Sequence, residues 1–174
     1  MEWRRPNPDE SAGYFNRYME QVHGEDPIAV LKASYLTSLD LMTSLSLDQW
    51  DYKYAEGKWS IKEVWVHILD TERIFSYRAL RFGRGDETAL PGFDQDTYIE
   101  PSNAAHRTAA GIMEEYSTVR KATLSLFKHF PEAAINRSGT ASNNKISVRA
   151  LAFIIAGHEI HHIKGLRENY KVSI

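Results

Sequence analysis

The segment SVRALAFIIAGHEIHHIKGLRE, residues 147–168, supports two readings. Val148, Leu151, Ile155, His158, His162 and Gly165 recur at alternating spacings of three and four, the period of one helical face. The same string contains His-Glu-x-x-His, the ligand-and-base pattern of many zinc proteases, with Glu159 as the base. The first reading makes the segment the last helix of a bundle, with two imidazoles on its inward face. The second needs a third ligand downstream and a sheet to hold a peptide. Only a dozen residues follow His162, and Glu168 stands where one protease branch returns a histidine after its glycine. No upstream sheet is evident. Missing context outweighs the motif, and Glu159, projecting about 100° from His158, is expected to serve the helix flank.

Three further segments share the helical period. Asp26-Pro27 is a good helix start, and Ile28, Leu31, Tyr35, Leu39 and Met42 follow on one face. Ser60 and Glu63 form a capping box, with Trp59 and Val64 placed as a hydrophobic staple; this helix runs to about Phe82, before Gly83 and Gly85. A third begins near Asn103, carries Ile112, Tyr116, Val119, Thr123, Leu126 and Phe130, and stops at Pro131. The pattern predicts an all-α protein, a four-helix bundle with helices at approximately 26–46, 60–83, 103–130 and 146–170. One domain, 1–174, is expected, with residues 1–25 as an N-terminal arm. Leu90, Phe93 and Tyr98 mark the long segment before the third helix as an ordered crossover, and SGTASNNK, 138–145, reads as a loop.

Composition removes several function classes. A net charge of -2 provides no basic field for nucleic acid. The absence of cysteine removes disulfides, thiolate metal sites and a cysteine nucleophile. The longest strongly apolar run, ALAFIIAG at 150–157, is too short to span a bilayer, and the N-terminal MEWRRPNPDE lacks the apolar stretch of a secretory leader. A soluble, cytoplasmic protein without a nucleic-acid or membrane partner is expected.

His158 and His162 share a direction and lie on the face that Leu151 and Ile155 turn inward. His67, three after Val64 and seven before Ile74, lies on or beside an inward face of the second helix. Adjacent buried imidazoles are costly unless something accepts their lone pairs, and a divalent metal does so. His67, His158 and His162 are therefore the expected metal ligands. His161 is expected at the flank as a pocket group. His23, His106 and His129 are expected in solvent. Asp70 is a candidate to orient a ligand or accept a proton, whereas Glu72 is expected on a solvated face. Arg78 continues the inward face; it is a possible pocket residue for an anionic substrate group, and pairing with a neighbouring carboxylate is the expectation. Tyr14, Tyr18 and Tyr98 are candidates to line a pocket.

GKWSIKEVWVHILDTERIF, followed on the last helix by GHEIHHIKGL, resembles the DinB/YfiT-like superfamily over nearly the whole chain. The resemblance implies an up-down-down-up bundle in which a second-helix histidine joins an H-x-x-x-H pair, the positions of His67, His158 and His162. It also implies nickel or zinc, and homodimers. Characterised members are often transferases or isomerases that use thiols such as bacillithiol or mycothiol, while many others carry only the label of metal-dependent hydrolase. The leading expectation is transfer of a low-molecular-weight thiol to a small-molecule substrate. A metal-dependent hydrolase, or a non-catalytic stress-related binding protein, stands as the alternative.

Overall fold

The computed structural model describes residues 2–172. Four long helices dominate: α1 (Pro27–Ser44), α2 (Ile61–Gly83), α3 (Ala109–Lys128) and α4 (Val148–Asn169). Each begins on a side chain that satisfies otherwise unpaired backbone N–H groups. Asp26 accepts from Ile28 and Ala29, Thr108 from Gly111, and Ser147 from Ala150. Ser60 and Glu63 cap one another's backbone at 3.2 and 2.6 Å. The third helix starts at Ala109 rather than near Asn103 because Asn103 is left-handed (φ 56°), and the N-cap is supplied by Thr108.

The main interhelix contacts run α2 with α4, α2 with α3, α1 with α3 and α1 with α4. Arg73–Glu115 and Ser76–Thr123 pair α2 with α3, with numbers rising together on both. The start of α2 meets the end of α4, where the Tyr170 hydroxyl donates to the Trp59 carbonyl at 2.6 Å.

Two apolar clusters fill the interior. One gathers Leu31, Phe75, Phe82, Phe127 and Phe153; the other gathers Leu41, Trp50, Trp65, Ile112 and Ile163. On every long helix a set of polar side chains falls between them: Ser34 and Ser38; His67, Thr71 and Glu72; Arg120 and Thr123; His158, Glu159 and His162. The functional residues thus sit in a polar layer across a split core.

The segment read as a loop is instead a β-hairpin, so the protein is mostly rather than wholly helical. β1 (Ser138–Ala141) pairs antiparallel with β2 (Asn144–Ser147). Ser142 and Asn143 both take positive φ, 51° and 61°, the geometry of a two-residue hairpin turn. Leu90 of the crossover bonds to the hairpin at Thr140 and Ser142, which ties that segment down. The N-terminal arm includes a short helix, Asn16–Met19, that packs on α4 and buries Tyr18 and Met19. Glu10 anchors the arm by accepting from Arg149 and Ser147. Among the described residues, no helix is long and apolar enough to cross a membrane.

Candidate metal centre

The structure brings His67, His158 and His162 together. His158 Nε2 lies 3.0 Å from His67 Nε2 and 3.1 Å from His162 Nε2. The register is local in origin. The capping box sets where α2 begins, which turns His67 inward, and the four-residue spacing on α4 puts its two rings on one face. Trp59 packs on the His67 ring at 4.9 Å, and the Thr71 hydroxyl stands 3.5 Å from its Nδ1.

These residues fit a divalent ion. His67 and His158 are each 4% exposed, and desolvation pushes His67 down to about 4 and His162 to about 3. Burial, reinforced by the neighbouring rings, takes His158 well below its ordinary value. At neutral pH all three imidazoles are neutral, and His67 and His162 both turn Nε2 toward that of His158. A shared proton could satisfy one pair, not the three together. Ligands about 2.0–2.1 Å from one ion, at tetrahedral or octahedral angles, stand about 3 Å apart, as His158 Nε2 does from each of the other two nitrogens, and the three donor atoms lie within 4.8 Å of one another.

Two cavities open on the triad from different members. The first, about 500 Å³, is lined by His162, His161, Trp59, Lys58, Lys164 and Tyr170. The second, about 480 Å³, is lined by His158, Tyr18, Thr71, Phe75, Arg78 and Phe93, with Tyr14, Asp94 and Asp96 among the remaining residues. His161 is exposed at the first cavity, its ring 5.3 Å from Tyr18. Tyr98 lines neither and leans on Phe93. His23, His106 and His129 are exposed.

Other expected roles change. Asp70 stays off the centre: its carboxylate faces Arg73 at 3.6 Å and makes no hydrogen bond to the triad. Arg78 is buried but among the described residues pairs with no carboxylate, donating instead to the Pro91 carbonyl and the Ser142 hydroxyl. Glu72 and Glu159 are not on solvated flanks. Both are buried and paired with the fully buried Arg120, at 2.8 and 2.9 Å. Glu159 also accepts from Ser34, Ser38 and Tyr116, so it points at α1 and α3 rather than at the triad. The glutamate of His-Glu-x-x-His is therefore structural. Its one signal in the sequence is the uncharged run ALAFIIAG, 150–157, which leaves the first turns of α4 no polar arc for solvent; in the structure every residue from Val148 to Glu159 is buried.

Comparison with known proteins adds independent support. A protein of Oceanobacillus iheyensis named "putative metal-dependent hydrolase" is 27% identical over 132 residues, 74% of each chain. YfiT from Bacillus subtilis, described as a probable metal-dependent hydrolase with an unusual four-helix bundle topology, has a similar fold. Its TM-score is 0.75 at 15% identity, over 99% of this chain and 97% of that one. A mycothiol-dependent maleylpyruvate isomerase shares the fold at a TM-score of 0.66 and 10% identity, over 83% of this chain and 61% of that one. The DinB superfamily model matches residues 31–165, which spans all four long helices but the ends of the first and last, and the chain belongs to that superfamily.

Proposed function

We propose that this protein is a metal-dependent enzyme that transfers a low-molecular-weight thiol, of the bacillithiol class, to a small electrophile. In this reading His67, His158 and His162 hold the ion, nickel or zinc. The observation that carries it is the placement of the triad between two cavities, one reached by His162 and the other by His158. A transferase must hold two organic molecules at one centre, and each cavity falls in the volume range of small-molecule sites. When bound, a divalent ion with three neutral ligands supplies an undiminished positive charge that ionises a thiol or acidifies water. The chain contains no cysteine, so the sulfur must come from a cosubstrate. Lys58, Asp96, Lys164 and Glu168 give the first cavity a polar rim of both charge signs, with Lys164 3.8 Å from Glu168, suited to a polar thiol, while Tyr18, Phe75 and Phe93 give the second an apolar wall for the electrophile. Trp59 and Thr71 hold the His67 ring with Nε2 toward the other imidazoles. A metal-dependent hydrolase, with water in place of thiol, is the second reading; the relatives' names favour it.

The reading extends to the architecture. An up-down-down-up path over one domain, 1–174, is supported by the order in which each helix meets the two clusters. α1 and α4 pass from the Phe153 cluster to the Trp65 cluster, and α2 and α3 pass the other way. A homodimer, on family resemblance alone, and a cytoplasmic location, on composition, complete the proposal.

The test is to incubate metal-loaded, tag-free protein with monochlorobimane and other electrophiles, with and without small thiols. Turnover that requires both thiol and ion is expected. Ester or amide cleavage without thiol would replace the transferase with the hydrolase, and inertness across both panels would overturn the enzymatic reading.

A further inference from the structure

Arg78 stands out in the second cavity as a buried cation that no carboxylate neutralises. The residue is 3% exposed, and among the described residues it forms no ion pair. Its Nη2 donates to two neutral oxygens, the Pro91 carbonyl at 3.0 Å and the Ser142 hydroxyl at 3.1 Å. Nε and Nη1 have no acceptor among the described residues. Guanidinium groups are almost never buried without a counter-charge, because desolvating the ion is costly. The Phe75 and Phe93 rings, 5.6 and 5.7 Å from the guanidinium carbon, offset part of that cost and leave the charge in place.

Two acidic residues share the cavity, and neither removes the imbalance. Asp94 and Asp96 are exposed at its rim, and an Asp94 oxygen is occupied by the Asp96 backbone N–H at 3.0 Å. His158, Tyr18 and Phe75 also line the cavity. The Phe75 ring lies 5.6 Å from the guanidinium carbon and 6.4 Å from the His158 ring, so the cation and a candidate metal ligand are at most about 12 Å apart.

Resting on the two-cavity reading, we propose that Arg78 is an anion anchor that selects carboxylate-bearing electrophiles with an apolar body. The carboxylate takes the free edge of the guanidinium, the apolar portion lies against Phe75, Phe93 and Tyr18, and the reacting end points toward His158. Planar guanidinium donors suit the paired oxygens of a carboxylate. The crossover and the hairpin turn, which meet Nη2 through Pro91 and Ser142, are positioning elements for this group.

Binding can be measured without turnover. Calorimetric titration of the metal-loaded and metal-stripped protein with phenylacetate, and with neutral phenylacetamide of the same shape, separates charge from fit. Phenylacetate is expected to bind about tenfold or more tighter than phenylacetamide in both preparations. It is also expected to protect Arg78 from phenylglyoxal, read by peptide mass mapping of the unmutated protein. Arg78→Met should abolish the preference, whereas His67→Ala should keep it while losing the ion. Equal affinity for the two probes, or no protection of Arg78, would overturn the proposal. So would a preference that disappears on stripping the metal, since the anion would then sit on the ion itself. Loss of metal by the wild-type centre with the preference intact would instead defeat the function proposed above and spare this one.

Discussion

Replacing Gly157 by alanine sets two effects against each other, and the structure decides the sign. Alanine is favoured over glycine in a helix interior by about 1 kcal/mol, so in open surroundings the substitution would stabilise α4. At Gly157 the surroundings are closed. A Cβ there would lie 1.8 Å from the Tyr18 carbonyl oxygen and 2.4 Å from its carbon, where real Cβ atoms essentially never come within 3.0 Å. Both obstacles are backbone, so no side-chain rotation relieves the clash, and the arm must retreat by more than an ångström. Retreat loosens Tyr18, Met19 and Val22, all buried, and draws the Tyr18 ring away from His158, now at 5.2 Å. Overpacking costs about 1–3 kcal/mol, and partial re-exposure of three apolar side chains brings the net loss to about 2–4 kcal/mol. For a chain of this length the melting temperature should fall by roughly 5–15 °C. Gly165, on the same helix with nothing within 4 Å of its would-be Cβ, is the internal control. Gly165→Ala should leave the melt unchanged or raise it. The assay is thermal unfolding of metal-free protein followed by circular dichroism. A Gly157→Ala melt equal to or above wild type would refute the close approach of arm and helix.

Glu159→Ala should remove about 3–5 kcal/mol from urea-unfolding stability, because it leaves part of the Arg120 charge and three hydroxyl donors without their acceptor. Metal content per folded molecule should not change; unaltered stability would show that the carboxylate is not in the buried network. The Glu10 carboxyl feels burial pushing it up, but hydrogen bonds from Arg149, Asn7 and Ser147 outweigh this and hold it below its ordinary value of 4.5. A lowered acid contributes stability that is complete above its unfolded value and is lost as pH falls through the folded one. Glu10→Gln should therefore cost about 2 kcal/mol at pH 7 and progressively less below pH 4.5, read as converging urea midpoints. A constant difference down to pH 3 would contradict that pairing.

The features legible in the sequence are those whose causes lie within a few turns of chain. The Ser60–Glu63 cap and the spacing of His158 and His162 depend on neighbours in sequence and set which way the three rings face; the packing of α2 on α4 then brings them together across 91 residues. The buried charges were hidden because their partners are remote. Glu72 meets Arg120 across 48 residues, and Arg120 meets Glu159 across 39. On a helix buried all round, such as the first turns of α4, the alternation that separates inward from outward positions carries no information. Arg78 was placed correctly on an inward face, but its expected carboxylate partner is replaced by Pro91 and by Ser142, 64 residues away. The hairpin escaped because each strand is only four residues long and its turn, Ser142-Asn143, lacks the glycine that usually marks one.

The central claim is that three imidazoles from α2 and α4 hold one divalent ion, and its most direct test is metal stoichiometry. Tag-free protein, equilibrated with nickel or zinc and desalted, should carry one ion per chain by inductively coupled plasma mass spectrometry. X-ray absorption at the metal edge should show three imidazole nitrogens, and His67→Ala should lose the ion while keeping its helical circular dichroism. Stoichiometric metal retained by that variant, or none bound by wild type, would contradict the account.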